Sequence, residues 1–180
     1  SRPTLALADL MRVARRATLP VIARVNGACV AGGMGLLGIA DLAVAADHAR
    51  FGLPEVRVGL FPMQVIAVLQ PLVPARLLRE WCLTGEVFDA SVARGAGLLN
   101  DVVPASALDQ KIAALIESLV AGSPIAMKRG LHALHSMQDM SVDEAIAFGE
   151  AQLPLVAASP DAREGLAAFN EKRPPTWSRR

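Results

Sequence analysis

The sequence comprises 180 residues, of which 53% are hydrophobic, 19% charged and 4% aromatic, and its formal net charge is +1. This length suffices for one domain with a sizeable core, and the near-neutral charge gives no reason to expect a nucleic-acid-binding surface. No apolar run reaches the length of a membrane span, and no secretory signal pattern is seen. Cys29 and Cys82 lie in apolar runs and are predicted to be buried free thiols of a cytoplasmic protein.

The first predicted elements alternate between helix and strand. An amphipathic helix near the start of the sequence is expected to reach about Ala17. Residues 21–25 form a short apolar run, and the Asn26-Gly27 pair after it is a strong turn signal, so a strand is predicted here. This alternation indicates a mixed α/β fold.

A glycine-rich step follows the turn. After a second apolar run at 28–30, residues 31–35 read Ala-Gly-Gly-Met-Gly and are predicted to open a helix that Asp41 ends, and residues 42–46 resume as a buried strand. Glycines let a backbone approach another group closely, and free N–H groups at a helix N-terminus favour an anion or a polarised carbonyl. Taken alone, the step is better interpreted as a tight strand-to-helix turn without a ligand.

A glutamate that follows a proline lies in the next segment, where residues 51–55 read Phe-Gly-Leu-Pro-Glu. Pro54 fixes its own φ and restricts Leu53, so Glu55 follows a stiffened backbone. Such a backbone suits a carboxylate whose direction must stay fixed. Taken alone, however, the segment favours an ordinary surface position for Glu55.

The carboxyl-terminal part of the chain is predicted to be helical from residue 106 onward. Asp89 is expected to cap a helix just before this part, and residues 107–121 form an amphipathic pattern. Ser141 and Glu144 have the spacing of a capping box. Ser-Pro pairs at 123–124 and 159–160 open two further helices.

Together, these motifs resemble the core of the enoyl-CoA hydratase/isomerase family, also called the crotonase family. The pattern of that family is an NG turn, a run of glycines, a helix ending in Asp, a strand, and then F-x-x-P-E-x-x-x-G-x-x-P. The positions that match in register are Asn26, Gly27, Gly32, Gly33, Asp41, Phe51, Pro54, Glu55, Gly59 and Pro62. Residues 83–85 (LTG) and 169–175 (FNEKRPP) match later parts of the family pattern.

The resemblance implies an α/β fold, a crotonase-like spiral of strand-strand-helix turns with a helical C-terminal part. It covers about the last two-thirds of a typical member, so the first strands and one half of the active site are expected in a preceding segment. Residues 1–104 would form the later portion of the spiral core, and residues 105–180 a helical trimerisation region. The implied assembly is a homotrimer or a dimer of trimers.

The resemblance also assigns the chemistry. Family members hold the carbonyl oxygen of an acyl-CoA thioester between two backbone N–H groups, which stabilise the enolate. By register Gly32 is one donor, with Gly33 beside it, and Glu55 is the catalytic acid/base. The first glutamate of the two-carboxylate hydratases is replaced here by Gly35. This replacement puts hydration in doubt, whereas one glutamate suffices to move a proton between carbons.

Four further residues are predicted to bind substrate on the same basis. Met63 and Gln64 stand where typical hydratases have a glycine-rich stretch, and they would reshape the acyl pocket. Phe169 matches a position that touches the pantetheine, and Lys172 one that approaches the CoA phosphates. A polar helix start for Gln64, a packing role for Phe169 and a solvated side chain for Lys172 are the simpler alternatives.

The predicted function is therefore that of an enoyl-CoA hydratase or enoyl-CoA isomerase. Its substrate is the CoA thioester itself, and neither a cofactor nor a metal ion is expected, because no metal-ligand spacing is seen. Two alternatives stay open. One is a catalytically weak acyl-CoA-binding or assembly paralogue, and the other is a different crotonase-family reaction, such as thioester hydrolysis or decarboxylation.

Overall fold

The computed structural model describes residues 3–179, which fold into short strands and predominantly short helices. The strands are β1 (Ile22–Val25), β2 (Ala28–Val30), β3 (Leu42–Ala46), β4 (Arg50–Gly52), β5 (Val87–Asp89) and β6 (Asp101–Val103). The α-helices are α1 (Pro3–Ala14), α2 (Gly32–Gly38), α3 (Met63–Leu69), α4 (Ala75–Thr84), α5 (Ala90–Gly95), α6 (Leu108–Val120), α7 (Pro124–Met137), α8 (Val142–Ala157) and α9 (Pro160–Asn170). Turns of 3₁₀-helix occupy Pro54–Val58, Ala105–Ala107 and Thr176–Arg179.

The first four strands alternate between two different sheets. One sheet has the order β1-β3-β6 and is parallel throughout, while the other has the order β2-β4-β5, with β2 parallel and β5 antiparallel to β4. Along the chain, a strand of the first sheet is followed by a strand of the second sheet and then by a helix, and this order occurs twice, as β1-β2-α2 and β3-β4-α3. This arrangement confirms the predicted spiral of strand-strand-helix turns.

The core of this spiral is made largely of small and aliphatic side chains. The largest fully buried side chains are Phe51, Met34, Leu53, Leu69, Leu108 and Val44. Phe88 stacks between Trp81 and Phe51, with ring centroids 4.0 Å and 6.1 Å apart. These rings are large apolar groups in a chain with few aromatics, so the stack anchors β4, β5 and α4 together.

Two compact units divide the chain, one up to Ala113 and one from Ala114. In the second unit, Ser123 Oγ and the N–H of Ile125 donate to Asp161 Oδ2 at 2.7 and 3.0 Å, which joins the starts of α7 and α9. The indole N–H of Trp177 donates to the carbonyl of Ala121 at 3.1 Å. The predicted boundary at 104/105 and the trimerisation role of the helices stay predictions.

Several predicted boundaries shift by a few residues. The first helix ends at Ala14 and α2 at Gly38, so Asp41 lies beyond the helix it was expected to end. Its carboxylate instead accepts a hydrogen bond from the N–H of Val21 at 2.7 Å. Among the helices of residues 3–179, none is both long and apolar enough for a bilayer crossing.

Candidate active site

Gly32 and Glu55 follow the carboxyl ends of two neighbouring parallel strands. In the β2–β4 pair Val30 lies opposite Gly52, so Gly32 comes two residues and Glu55 three residues beyond the same edge of the sheet. The N–H of Ala31 donates to the carbonyl of Gly52 at 3.0 Å, which extends the pairing past the strand ends. The parallel register therefore directs both predicted catalytic residues to one edge.

The backbone turns sharply before Gly32. Ala31 has φ +50° and ψ −121°, a conformation that glycine adopts far more readily than alanine. Its carbonyl accepts the N–H of Met34 at 3.0 Å, so hydrogen bonds on both sides hold the strained residue in place. Because α2 begins directly at Gly32, the N–H groups of Gly32 and Gly33 have no acceptor within the helix.

Glu55 lies in the 3₁₀ turn Pro54–Val58, and its side chain is half-buried. Its Oε2 atom is buried and has no hydrogen-bond partner among the described residues. The turn is held by the Glu55 carbonyl, which accepts the N–H of Leu60 at 3.0 Å, and by Gly59 at φ +76°. A buried carboxylate oxygen without a partner is costly for stability alone, which points to a function.

The neighbourhood of Glu55 includes a buried thiol from α4. Cys82 is fully buried, and burial raises the pKa of its thiol, with a further contribution from the charge of Glu55. The helix approaches the 3₁₀ turn closely, since a methyl group at Gly85 would lie 3.0 Å from Val56 Cγ1. The end of α4 therefore packs directly against the turn that carries Glu55.

Gly35 corresponds to the first glutamate of the two-carboxylate hydratases, and side chains from other helices occupy the space beside it. A methyl group placed on Gly35 would lie 2.5 Å from Met11 Cε and 3.2 Å from Val65 Cγ2. Met11 comes from α1 and is 6% exposed, and Val65 comes from α3. The space beside Gly35 is thus closed by apolar groups rather than open for a second carboxylate.

The first turn of α3 carries Met63 and Gln64. Gly35 of α2 lies beside Val65 of α3, and Gly38 lies beside Val68. Both contacts advance along the two helices together, so α2 and α3 run parallel to each other. This places the start of α3 near the start of α2. Met63 is 70% exposed and Gln64 half-buried, which leaves both side chains available at the surface beside the glycine step.

Phe169 and Lys172 lie in the second unit, at the end of α9. Phe169 is 81% exposed, and its carbonyl accepts the N–H of Lys172 at 3.2 Å. Lys172 is exposed and has φ +53°. The next residue, Arg173, donates to both carboxylate oxygens of Glu164, at 2.7 and 3.1 Å, and this pair fixes the backbone that follows Lys172.

Sequence reasoning missed three residues that shape this site. Met11 belongs only to a predicted amphipathic helix, Cys82 is predicted only as a buried thiol, and no sequence signal singles out the backbone of Ala31. The partner of each lies far along the chain or depends on the turn geometry. Within residues 3–179, no group of three or more His, Cys, Asp or Glu side chains is arranged to hold a metal ion.

Comparison with known proteins identifies the class of protein that this fold and site define. The family described as enoyl-CoA hydratase/isomerase matches residues 2–180, and the chain belongs to that family. It is 36% identical over 166 residues to a carnitinyl-CoA dehydratase of Citrobacter koseri, covering 89% of this chain and 64% of that protein. It is 35% identical over 174 residues to an enoyl-CoA hydratase of Mycobacterium tuberculosis, covering 96% and 65%.

Solved structures show the same architecture. An enoyl-CoA hydratase of Mycobacterium smegmatis superposes with a TM-score of 0.91 at 36% identity, over 95% of this chain and 66% of that one. Human enoyl Coenzyme A hydratase domain-containing protein 3 superposes with a TM-score of 0.93 at 30% identity, over 97% and 69%. The chain spans less than two thirds of the length of the curated relatives described above.

Proposed function

We propose that this chain acts on acyl-CoA thioesters as an enoyl-CoA isomerase, with Glu55 as the single acid/base. The observation that carries the proposal is the buried Oε2 of Glu55, which has no hydrogen-bond partner among the described residues. A carboxylate that gives and takes protons must keep an oxygen free for the substrate. The stiff Pro54–Val58 turn supports this role because it holds the carboxylate at the edge that Gly32 also occupies.

The proposed reaction moves a double bond without adding or losing atoms. The Glu55 carboxylate takes a proton from C2 of a 3-enoyl thioester, and the electron pair moves into the thioester carbonyl to form a dienolate. The resulting carboxylic acid returns a proton to C4, and the product is the 2-enoyl thioester. The same carboxylate serves both steps, so Glu55 ends the cycle as it began.

The N–H of Gly32 is proposed to donate to the dienolate oxygen, with Gly33 beside it at the thioester. Hydrogen-bond donors placed where charge develops are a large contribution to such catalysis. Met63 and Gln64 are proposed to line the acyl pocket, Phe169 to touch the pantetheine and Lys172 to approach a CoA phosphate. The reaction needs no cofactor, since the CoA thioester is itself the substrate.

Isomerisation is favoured over hydration by the packing around Gly35. Two-carboxylate hydration needs a second proton-transferring group, and Met11 and Val65 occupy the space where it would project. The names of the relatives include hydratases and dehydratases, so hydration is the second candidate. A catalytically weak acyl-CoA-binding paralogue is the outcome if neither reaction is found.

A homotrimer or dimer of trimers is proposed as the assembly, in the cytoplasm. The support lies in the second unit, where large apolar side chains are exposed on three successive helices. They are Leu134, Val142, Ile146, Leu153, Leu155 and Leu166. Exposed apolar surface of this extent is typical of a protein–protein interface. Sedimentation velocity would test the proposal, and a monomer at micromolar concentration would contradict it.

The decisive experiment compares Glu55→Gln with Glu86→Gln in the full-length protein. Glu86 is an exposed glutamate of the same unit and serves as the matched control. Isomerisation of a 3-enoyl-CoA is followed by the absorbance of the conjugated thioester. We expect Glu55→Gln to lose at least about 10²-fold in kcat, with unchanged affinity for a non-reactive acyl-CoA thioether, and Glu86→Gln to match the wild type.

Three outcomes would overturn parts of this proposal. Equal turnover of Glu55→Gln and wild type would remove Glu55 from the mechanism. Loss of absorbance from a 2-enoyl-CoA, without isomerisation of the 3-enoyl-CoA, would establish hydration instead. Binding of the thioether without turnover of either substrate would leave the non-catalytic paralogue.

A further inference from the structure

The buried face of α1 covers the glycines of α2. A methyl group on Gly35 would lie 2.5 Å from Met11 Cε, closer than two such atoms can approach. Leu7 lies one turn earlier on α1, and its Cδ2 atom is 3.7 Å from the place where a methyl group on Gly32 would lie. Met11 is almost fully buried. Because Gly35 has no side chain, the terminal methyl group of Met11 occupies the volume beside the place where a Cβ atom would lie.

The side-chain atoms that come nearest to Gly32 and Gly35 in this wall are all apolar. Leu7 Cδ2, Met11 Cε and Val65 Cγ2 present methyl groups to the first turns of α2. An ordered water in a protein requires two to four polar partners, and an apolar space of similar size stays dry. These side-chain methyl groups offer a water molecule beside Gly35 no hydrogen-bonding partner.

We propose that Met11 is a specificity-determining residue, which keeps water away from the substrate so that protons are exchanged between carbons rather than water being added. This inference rests on the proposed proton transfer by Glu55. A dry wall keeps the proton on Glu55 between its two transfers, whereas a water bound at the wall would exchange with it or attack the double bond.

The first test replaces Met11 by a polar side chain of similar length. Met11→Gln keeps the approximate volume and offers a water hydrogen-bonding partners, while Met11→Leu keeps the wall apolar. Leu10→Gln is the matched control, because Leu10 is a half-exposed neighbour on the same helix. The readout is the ratio of 3-enoyl-CoA isomerisation to 2-enoyl-CoA hydration in the full-length protein.

We expect Met11→Gln to lower this ratio by about tenfold or more, through a rise in hydration or a fall in isomerisation. Met11→Leu and Leu10→Gln should stay near the wild-type ratio. The inference is overturned if folded Met11→Gln keeps the wild-type ratio, or if Leu10→Gln changes it as much.

A second measurement needs no variant, so it tests the inference even if Met11→Gln fails to fold. The wild-type protein converts a 3-enoyl-CoA in D₂O, and the product is analysed for deuterium at C4. A dry wall predicts that most product molecules keep at C4 the hydrogen removed from C2. Full deuteration at C4 would overturn the role of Met11 while leaving proton transfer by Glu55 intact. Failure to form any product would instead overturn the proposed function.

Discussion

The carboxylate of Asp41 accepts a hydrogen bond from the backbone N–H of Val21 at 2.7 Å. The carbonyl of Val21 in turn accepts the N–H groups of Asp41 and Leu42, at 2.9 and 3.2 Å. These bonds join the starts of β1 and β3, the strands that precede the glycine step and the segment of Glu55. Asp41 therefore acts in aligning the sheet rather than in ending α2.

Replacement of Asp41 is expected to weaken this alignment. Asp41→Ala leaves the half-buried N–H of Val21 without its acceptor, at a cost of about 1–3 kcal/mol in the free energy of unfolding. Asp41→Asn keeps an acceptor oxygen and should cost less. Urea unfolding measures both variants, and Asp47→Ala, an exposed aspartate of the same unit, is the control. Equal stability of Asp41→Ala and Asp47→Ala would contradict the proposed role.

Gly38 is expected to tolerate no side chain. A methyl group there would lie 2.8 Å from Val68 Cγ2 and 3.1 Å from Leu69 Cδ2, where α2 and α3 touch. Gly38→Ala should destabilise the protein by about 1–3 kcal/mol through overpacking, although alanine favours helix by up to about 1 kcal/mol.

Two further variants check this prediction by urea unfolding. Gly95→Ala adds a methyl group at a position with no heavy atom within 4 Å, so it should be neutral or slightly stabilising. Gly38→Ala combined with Val68→Ala should recover part of the lost stability, because the smaller side chain makes room. If Gly38→Ala is as stable as Gly95→Ala, the two helices are not in the close contact described.

The ion pair between Glu164 and Arg173 predicts a pH dependence of stability. Hydrogen bonds from Arg173, and then from the N–H of Thr176, lower the pKa of Glu164 from its ordinary 4.5 to about 2. Because the folded-state pKa lies below that of the unfolded chain, the stabilisation is complete above about pH 4.5 and is lost as the pH falls towards 2. The pair is partly exposed, so salt should weaken the effect.

Glu164→Gln tests this dependence. The difference in unfolding midpoint between wild type and Glu164→Gln should be largest near neutral pH and shrink as the pH falls from 4.5 towards 2. Glu117→Gln, an exposed glutamate on α6, should show a much smaller difference at every pH. A difference for Glu164→Gln that does not change with pH would contradict the assignment.

The capping box at the start of α8 is expected to contribute to stability. Ser141 Oγ accepts the N–H of Glu144 at 3.4 Å, and Glu144 Oε2 accepts the N–H of Ser141 at 2.8 Å. Ser141→Ala should cost about 0.5–2 kcal/mol. Thermal unfolding measures the effect, with Ser118→Ala as control, since Ser118 lies within α6 and bonds only the carbonyl of Ala114 among the described residues. A larger loss in Ser118→Ala would refute the prediction.

Local signals in the sequence predicted several elements and caps correctly. The predicted caps at Asp89 and Ser141 form as hydrogen bonds, and Ser123 and Ser159, predicted only as helix starts before proline, cap their helices as well. Each joins residues within one helical turn, so spacing along the chain suffices to find it. The ends of the strands are less easily found in this way, because pairing with a partner strand decides where a strand ends.

The candidate site, too, could be predicted from the sequence only in part. Motif register alone placed Gly32 after one strand and Glu55 after another, and the replacement of a glutamate by Gly35 was visible in the sequence. The packing of Met11 against Gly35, the shared sheet edge of Gly32 and Glu55, and the unpartnered oxygen of Glu55 were not visible. They depend on contacts between residues more than twenty positions apart.

The sequence by itself determined the family, the alternation of strand and helix, and the position of Glu55, the proposed acid/base. Only the tertiary structure decided what surrounds that carboxylate. Side chains from α1 and α3 converge on α2 because two layers of strands and helices must bury their apolar faces together. That convergence closes the space beside Gly35, and no pattern of neighbouring residues encodes it.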